Sequence, residues 1–179
     1  AISEVSLDSI FEDMRQQFAS PARFKDLDLQ VHAPSLVVRT DSTLLAEMIQ
    51  NLLANAIRYT DQGSVTLKCE NDGSRTWIVI EDTGVGMSDA IQERIFDDFF
   101  QAAAHGSTHR GGVGLGLGIV RRMSRMLNLP VHVDSKLGIG TRVTIELTNV
   151  VSPHASQSRV AAQNSPQPTR GGRRILLVE

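Results

Sequence analysis

The stretch Gly111-Gly-Val-Gly-Leu-Gly-Leu-Gly-Ile-Val120 carries glycine at every second position from Gly112 to Gly118. Without side chains at these positions, the backbone can approach a ligand closely and present its N–H groups to it. The apolar residues that follow predict that the loop runs into a helix N-terminus, where anions are stabilised. A bound phosphate is one interpretation, and a glycine-rich turn without a ligand is the other. Neither a P-loop nor a G-x-G-x-x-G motif is completed, because no Gly-Lys pair follows and Leu117 occupies the last glycine position.

A helix predicted upstream, over residues 41–60, has two chemically different faces. Apolar residues fill one broad side, and a narrow stripe on the other contains Glu47, Asn51, Asn55 and Arg58. Asparagine is a poor choice inside a helix, since its side chain competes for backbone hydrogen bonds. We therefore favour a functional stripe over a merely solvated one. Amide oxygens suit Mg²⁺, which also retains waters and substrate phosphates, and the arginine would reach phosphate oxygens from the same side.

Between these two segments, a carboxylate ends an apolar strand face. By strand alternation, Asp82 shares that face with Ile78 and Ile80. An unpaired buried charge is costly, so the carboxylate needs a partner. The amino group of adenine would donate to it, whereas guanine presents an oxygen at that position and would be repelled. The alternative is an aspartate that only forms the turn before Thr83 and Gly84.

The other periodicities predict a scaffold. Behind Ser6 as N-cap, an amphipathic helix is expected to end before Pro21. Two strands around residues 29–31 and 36–38 are expected to be neighbours. Further strands are expected at residues 65–69, 77–80, 129–133 and 141–147, and a short helix with a turn at residues 91–101.

Residues 102–110 are small and polar, which predicts a mobile lid. Within them, His105 and His109 have a spacing that would suit a metal site on a helix. Gly106 and Gly111 favour a loop instead, so a metal site here is the weaker interpretation.

The length and the net charge of the chain limit the kinds of function it can have. The chain has 179 residues and a formal charge of -2, so one well-buried domain with a remainder is expected, and no nucleic-acid binding. Its single cysteine, Cys69, cannot form an internal disulfide, which fits a reducing compartment. No apolar run is long enough for a membrane span, so we expect no membrane contact by this chain, although a parent protein is free to carry an anchor elsewhere.

The composition changes after residue 150. Residues 151–172 are rich in Ser, Gln, Pro and Arg and predict a disordered linker. Residues 173–179 then lead from two arginines into an apolar run of the kind found in buried strands. We therefore expect a second domain to begin there, after a first domain over residues 1–150.

The asparagine-bearing helix, the strand with Asp82 and the glycine ladder, in this order, resemble the ATP-binding domain of the GHKL superfamily, which includes gyrase, a heat-shock chaperone, mismatch-repair ATPases and histidine kinases. The closest similarity is to the catalytic domain of sensor histidine kinases and covers residues 1–150. The matching motifs are the asparagine box Asn51-Leu-Leu-Ala-Asn55-Ala-Ile-Arg58-Tyr59-Thr60, the glycine boxes Asp82-Thr-Gly84-Val-Gly86-Met87, Gly112 to Ile119 and Gly138-Ile-Gly140-Thr141, and the phenylalanine box Ile95-Phe-Asp-Asp-Phe-Phe-Gln101. Arg58 departs from the commoner Lys, and Gly118 from the usual Ala.

This resemblance implies a role for each motif residue. Asn55, with Asn51 beside it, would hold Mg²⁺, and Arg58 and Tyr59 would lie near the phosphates of ATP. Asp82 would accept the adenine amine. The residues implied to line the base pocket are Gly84, Gly86 and Thr141, and those implied to border the triphosphate, under a lid over residues 96–112, are Gly112, Gly114, Leu115 and Gly116.

The resemblance also implies architecture and partners. The fold class is a two-layer α/β sandwich of the Bergerat type, a mixed sheet with helices on one face and an ATP lid. The expected partners are a dimerisation and histidine-phosphotransfer domain of the same parent, which would be a cytoplasmic homodimer, and a receiver domain or response regulator. Residues 173–179 resemble the first strand of a receiver domain, with Glu179 at its acidic cluster.

Chemistry separates the kinase from the alternatives of a GHKL ATPase and an inert binding module. Hydrolytic members of the superfamily carry glutamate at the position of Asn51, and an amide cannot accept a proton from water. A histidine acceptor needs mainly positioning and charge neutralisation. Glu47, one turn earlier, is a hypothetical orienting or activating group. No histidine of this chain lies on an amphipathic helix beside an acid, so we expect no autophosphorylation.

Overall fold

The computed structural model describes residues 1–92, 94–95 and 116–151. In chain order its elements are β1 (Ile2–Ser6), α1 (Leu7–Phe24), β2 (Asp28–Val31), β3 (Val37–Asp41), α2 (Ser42–Tyr59), β4 (Ser64–Asn71), β5 (Thr76–Asp82), α3 (Asp89–Gln92), α4 (Gly116–Leu127), β6 (Val131–Lys136), β7 (Gly140–Leu147) and β8 (Val150–Val151). Five strands form one sheet in the order β2-β4-β5-β7-β6. The β2–β4 pair is parallel and the other pairs are antiparallel, so the sheet is mixed.

One face of this sheet is covered by helices. Alternate residues of β4, β5 and β7 point to that face and are almost fully buried, because α2 packs against β4 and β5 and also contacts α1 and α4. The residues of this buried face are Val65, Leu67, Ile78, Ile80, Val143, Ile145 and Leu147. The expected α/β sandwich with helices on a single face is therefore confirmed.

The opposite face of the sheet carries a ring of charges. Lys68 contacts Glu70 at 3.0 Å and Glu81 at 3.1 Å, and Arg142 contacts Glu81 at 2.8 Å and also Glu70. Val79 shares this face by strand alternation and is nevertheless fully buried. The long side chains of the ring thus shield an apolar residue as well as pairing with one another.

A second, three-stranded sheet in the order β1-β3-β8 corrects the prediction that the strands around residues 29–31 and 36–38 are neighbours. The chain turns between them at Pro34, whose carbonyl accepts from the Leu36 amide at 2.9 Å. As a result β2 joins the five-stranded sheet, while β3 lies between β1 and β8. The prediction that residue 151 begins a linker is also wrong, because Val151 pairs with Val37 in β8.

The first helix is longer than predicted. It begins after Ser6 as expected, although the Ser6 side chain makes no capping hydrogen bond, and it continues through Pro21 to Phe24. Pro21 lies in the last turn, where its missing N–H removes a single hydrogen bond at the end of the helix. Ala22, just beyond it, is buried against the core, so packing favours the extra turn.

Only part of the region after β5 is described. The helix expected over residues 91–101 begins earlier, as the short α3, and Ile95 is buried. The lid at residues 102–110, with His105 and His109, lies outside the described residues, as do residues 152–179. None of the helices described is both long enough and apolar enough to cross a lipid bilayer.

Candidate functional site

Helix α2 presents the predicted polar stripe. Asp41 caps the helix by accepting from the Leu44 amide at 3.2 Å, and the apolar side of α2 is buried as computed from its periodicity. Glu47 and Arg58 of this stripe and the neighbouring Tyr59 are exposed, whereas Asn51 and Asn55 are half-buried. The Asn51 amide nitrogen donates to the Glu47 carbonyl at 2.8 Å. This bond fixes the Asn51 side chain and leaves its oxygen, the atom suited to a hard cation, to other partners.

Asp82 ends β5 on the helix-covered face, as strand alternation predicted. Its Oδ1 atom accepts from the Gly84 amide at 2.9 Å and from the Thr141 amide at 3.2 Å. Within the described part of the chain, nothing donates to Oδ2. Burial raises the pKa of this carboxyl above its ordinary value, and the two amide hydrogen bonds oppose that rise. Asp82 is therefore a fixed, partly desolvated acceptor, and its second oxygen accepts no hydrogen bond from residues 1–92, 94–95 or 116–151.

Gly84 brings Asp82 and the end of α2 together. A Cβ atom at this position would lie 2.3 Å from the Tyr59 carbonyl oxygen and 2.9 Å from both Asp82 Oδ1 and Thr60 Oγ1. Only glycine permits this approach. The Val85 amide also donates to the Tyr59 carbonyl at 3.2 Å. The backbone bearing Asp82 is thus joined to the last turn of the helix that carries Asn55 and Arg58.

Thr141 and Gly86 lie on the other side of Asp82. Thr141 is opposite Asp82 in the β5–β7 pair, and its side chain contacts the Ser135 hydroxyl at 2.9 Å. Gly86 has a φ of +62°, and a Cβ atom there would be 2.0 Å from the Lys136 carbonyl oxygen. Gly86 therefore lets the loop pass against β6. The role of Gly86 in this contact is packing, and its place in the lining of the base pocket stays a prediction.

Ser135 was missed by sequence reasoning. Its hydroxyl accepts from the Met87 amide at 2.9 Å and lies 3.0 Å from the Gly140 carbonyl oxygen, so it connects the loop after Asp82 to the start of β7. The Gln92 side chain donates to the Ser135 carbonyl at 2.9 Å and accepts from its amide at 3.1 Å. Ser135 occupies an inward position of β6, and a hydroxyl at such a position was the available signal.

The glycine ladder is only partly described. Gly116 is the first residue of α4, in agreement with the prediction that the loop leads into a helix. Gly112, Gly114 and Leu115 lie outside the described residues, so their proposed place beside a triphosphate stays a prediction. The structure therefore brings together Tyr59, Asp82, Gly84 and Thr141.

The donor set on α2 fits a hard cation that shares its coordination with phosphate. Asn51 and Asn55 follow one another by one turn, and amide oxygens are ligands that Mg²⁺ accepts alongside water and substrate oxygens. Within residues 1–92, 94–95 and 116–151, no cluster of three His, Cys, Asp or Glu side chains forms a metal cage.

Comparison with known proteins identifies the family of this chain. Residues 40–150 match the family model described as histidine kinase-, DNA gyrase B- and HSP90-like ATPase. The chain is 31% identical over 168 residues to the sensor-like histidine kinase SenX3 of Mycobacterium tuberculosis, and 37% identical over 165 residues to the autoinducer 2 sensor kinase/phosphatase LuxQ of Vibrio cholerae. These alignments cover 93% and 87% of this chain, but only 41% and 19% of the relatives, so the chain spans less than half of their length.

A solved structure shows the same fold with a nucleotide analogue. The full-length ShkA structure in complex with AMPPNP superposes with a TM-score of 0.70 at 25% identity, over 85% of this chain and 32% of that one. The family match spans α2, the Asp82 loop, the glycine ladder and Thr141. The chain therefore belongs to the histidine kinase-, DNA gyrase B- and HSP90-like ATPase family, and its core is the ATP-binding catalytic domain of a sensor histidine kinase.

Proposed function

We propose that this domain binds Mg-ATP between the last turns of α2 and the Asp82 loop. It then donates the γ-phosphoryl group to a histidine on a separate dimerisation and histidine-phosphotransfer domain of the same parent. The observation that carries the proposal is the Asp82 carboxylate, held by the Gly84 and Thr141 amides with one oxygen left to a ligand, beside the helix end that bears Asn55.

Asp82 would select the base. Its free Oδ2 atom is an acceptor for the exocyclic amine of adenine, and the partly buried setting makes a mismatched partner costly. Guanine would place an oxygen against this carboxylate and be repelled. Gly84, Gly86 and Thr141 would then line the base, because they are the immediate neighbours of the Asp82 loop.

The phosphate end would be held by α2 and the glycine ladder. Asn55 and Asn51 supply amide oxygens for Mg²⁺, which would neutralise charge on the phosphoryl oxygens. Arg58 and Tyr59 are exposed at the end of the same stripe and would contact phosphates directly. Gly112, Gly114, Leu115 and Gly116 are proposed to border the triphosphate with backbone N–H groups.

The proposed reaction is transfer rather than hydrolysis. Asn51 cannot take a proton from water, so the chain has no base at the position where the resembling ATPases carry glutamate. Glu47 is placed one turn before Asn51 and is proposed to orient the incoming histidine. The alternative is an ATP-binding module or ATPase without kinase activity, and a transfer assay with the wild-type chain decides between them.

The wider protein is proposed to be a cytoplasmic homodimer, or a membrane-anchored one with this domain in the cytoplasm. In this proposal residues 152–172 are a linker, and residues 173–179 begin a receiver domain whose aspartate accepts the phosphoryl group from the histidine. A response regulator in trans would serve the same purpose.

Calorimetry tests the binding proposal. Titration of the 179-residue chain with ATP, with and without Mg²⁺, should show affinity that rises with the metal. GTP should bind at least about 100-fold more weakly, as expected when a buried polar group is mismatched. In N55A the gain from Mg²⁺ should disappear while metal-free binding is retained. An identical Mg²⁺ gain in N55A would contradict the assignment of Asn55.

A transfer assay tests the kinase proposal. With radiolabelled ATP and a phosphoacceptor domain restored in trans, label should move to the acceptor histidine, and the isolated chain should retain none. E47Q should lower the transfer rate about 100-fold without changing ATP affinity. Undiminished transfer by E47Q would remove Glu47 from the proposal, and transfer to neither protein by the wild-type chain would favour the inert binding module.

A further inference from the structure

The C-terminal end of α2 is satisfied by groups from three other parts of the chain. The last four carbonyls of a helix have no partner within the helix. Here the Thr60 hydroxyl donates to the Ala56 carbonyl at 2.7 Å, and the Val85 amide donates to that of Tyr59 at 3.2 Å. Lys25 Nζ donates to the remaining two, those of Ile57 at 2.8 Å and Arg58 at 3.0 Å.

Lys25 is held in place to make these bonds. Its ammonium also donates to the Thr60 carbonyl at 2.6 Å, so three carbonyls accept from its three N–H groups. The side chain is only 18% exposed, and the carboxylate of Asp61 lies 3.6 Å away. The Lys25 amide itself donates to the Ala22 carbonyl at 3.1 Å, which fixes the residue at the C-terminus of α1. The positive charge lies where the α2 macrodipole is negative.

The turn that Lys25 holds is the one that carries the proposed phosphate and metal residues. Asn55 precedes Ile57 by two residues, and Arg58 and Tyr59 belong to the turn itself. A long cationic side chain that binds three neighbouring carbonyls restricts how this turn can rotate or unwind. Asp82, by contrast, is fixed by hydrogen bonds from the Gly84 and Thr141 amides, and Lys25 makes neither of them.

We propose that Lys25 is a positioning residue for the phosphate and metal end of the nucleotide site, acting through the last turn of α2 and not by touching the nucleotide. The inference rests on the proposed function, since it needs Asn55 and Arg58 to face the phosphates. It separates two roles in one pocket: Lys25 supports triphosphate and Mg²⁺ binding, and Asp82 supports base binding.

The experiment compares two ligands on the 179-residue chain. K25M keeps the length of the side chain and removes its donors. Its affinity for ATP with Mg²⁺ should fall about 10-fold, in line with the loss of other groups that orient ligand side chains, and its affinity for adenosine, which lacks phosphates, should stay within about twofold. K25R, which retains charge and donors, should recover most of the loss, and D61N, which leaves the carbonyl bonds intact, should bind both ligands like the wild type.

The outcomes are distinguishable. A lower melting temperature in K25M with an unchanged ratio of ATP to adenosine affinity would overturn the proposal, because a merely structural residue does not change that ratio in the folded molecules. An equal loss for both ligands would overturn it as well. Should K25M not fold, K25Q, which keeps two donors, is expected to show the same selective loss, and an unchanged ratio in K25Q would refute it. Absence of Mg-ATP binding by the wild type would instead overturn the proposed function, and the inference with it.

Discussion

At the scale of single residues, the partly buried carboxyl of Asp82, the proposed adenine acceptor, lowers the stability of the ligand-free domain. Its pKa is raised by burial, so the folded state holds a proton more tightly than the unfolded state does. Stability therefore falls as the pH rises from about the ordinary value of 3.8 through the raised folded pKa. Above that pH range the carboxylate is charged and partly desolvated, which is unfavourable without a ligand.

We expect D82N to lose ATP binding without losing stability. The amide oxygen of the substituted side chain can still accept from the Gly84 and Thr141 amides, while the buried charge is gone. The free energy of unfolding at pH 7 should be unchanged or higher by up to about 1 kcal/mol, whereas ATP affinity should fall at least about 100-fold. Urea unfolding at pH 4 and pH 7 checks this expectation, because any gain in the stability of D82N over the wild type should be smaller at pH 4. D134N, at an exposed site of β6, is the matched control.

We expect G84A to affect both stability and binding. The added methyl group would meet the Tyr59 carbonyl at 2.3 Å, and backbone cannot move aside cheaply. A loss of about 1–3 kcal/mol in unfolding free energy is expected, together with weaker ATP binding, because the Asp82 loop must shift away from α2. G73A is the control, since nothing lies within 4 Å of a Cβ atom there, although its φ of +93° adds a smaller strain. Equal effects of the two substitutions would contradict the close approach at Gly84.

Sequence alone identified residues whose pattern is local. Asp82 follows from period-two alternation, and the α2 stripe from helical periodicity. Lys25 and Ser135 did not emerge, because the α2 carbonyls that Lys25 binds lie 32 to 35 residues away, and Met87 and Gln92, which Ser135 binds, lie 48 and 43 residues away. A lysine after a helix has no local mark that separates a long-range contact from exposure to solvent, and for Ser135 the only local signal was a hydroxyl at an inward strand position, which does not name its partners.

At the scale of elements, the charged ring on the open sheet face links β4, β5 and β7. Hydrogen bonds from Lys68 and Arg142 lower the pKa of Glu70, and they lower that of Glu81 although burial opposes this. Both carboxyls therefore contribute stability above the ordinary pKa of 4.5, and that contribution is lost as the pH falls through their lowered folded values.

We expect R142M to weaken the pH dependence of folding. The substitution removes one cation of the ring, so unfolding free energy at pH 7 should fall by up to about 1 kcal/mol, since these side chains are partly exposed and screened. The difference from the wild type should disappear at strongly acidic pH and shrink in high salt. R39M is the control, because Arg39 is an exposed arginine of β3, outside the charged ring. A constant difference at all pH values would mean that only packing over Val79 was lost.

Element prediction succeeded where one side of the element is buried. The bounds of α2 follow from its apolar face and its aspartate cap, and β4, β5 and β7 follow from alternation. β1 and β8 were missed because strands of five and two residues owe their form to pairing with β3 rather than to their own pattern. The placement of β2 and β3 in different sheets depends on the same long-range pairing.

At the scale of the whole molecule, the family match and the folding unit differ. The match begins at residue 40, yet α1 supplies a large part of the core, and its buried residues are Leu7, Ile10, Phe11, Met14, Phe18 and Ala22. These side chains cover β2 and α2. A chain reduced to the matched residues would expose the surface that α1 covers.

We therefore expect a chain limited to residues 40–150 not to fold, and one limited to residues 1–151 to melt like the full chain. The free energy lost with these six buried side chains is comparable to the whole stability of a typical domain, about 5–15 kcal/mol. Each large side chain contributes about 1.5–3 kcal/mol when it is buried. Circular dichroism during heating measures whether each of the two shortened chains unfolds cooperatively and at what temperature. A cooperative transition in the shorter chain would show that α1 is dispensable, and a large change in the longer one would contradict the linker proposed for residues 152–172.

The position of β3 between β1 and β8 determines whether the two ends of the domain can be joined in a circular permutant. β1 and β8 run parallel to each other on either side of β3. Ile2 lies opposite Asp41, and Val151 lies opposite Val37. Ile2 and Val151 are therefore about two strand spacings apart across the sheet and four residues apart along it. A flexible bridge of about eight residues would span that gap. A circular permutant opened in the β4–β5 hairpin at Gly73 should therefore retain the sheet order, the core and the nucleotide pocket.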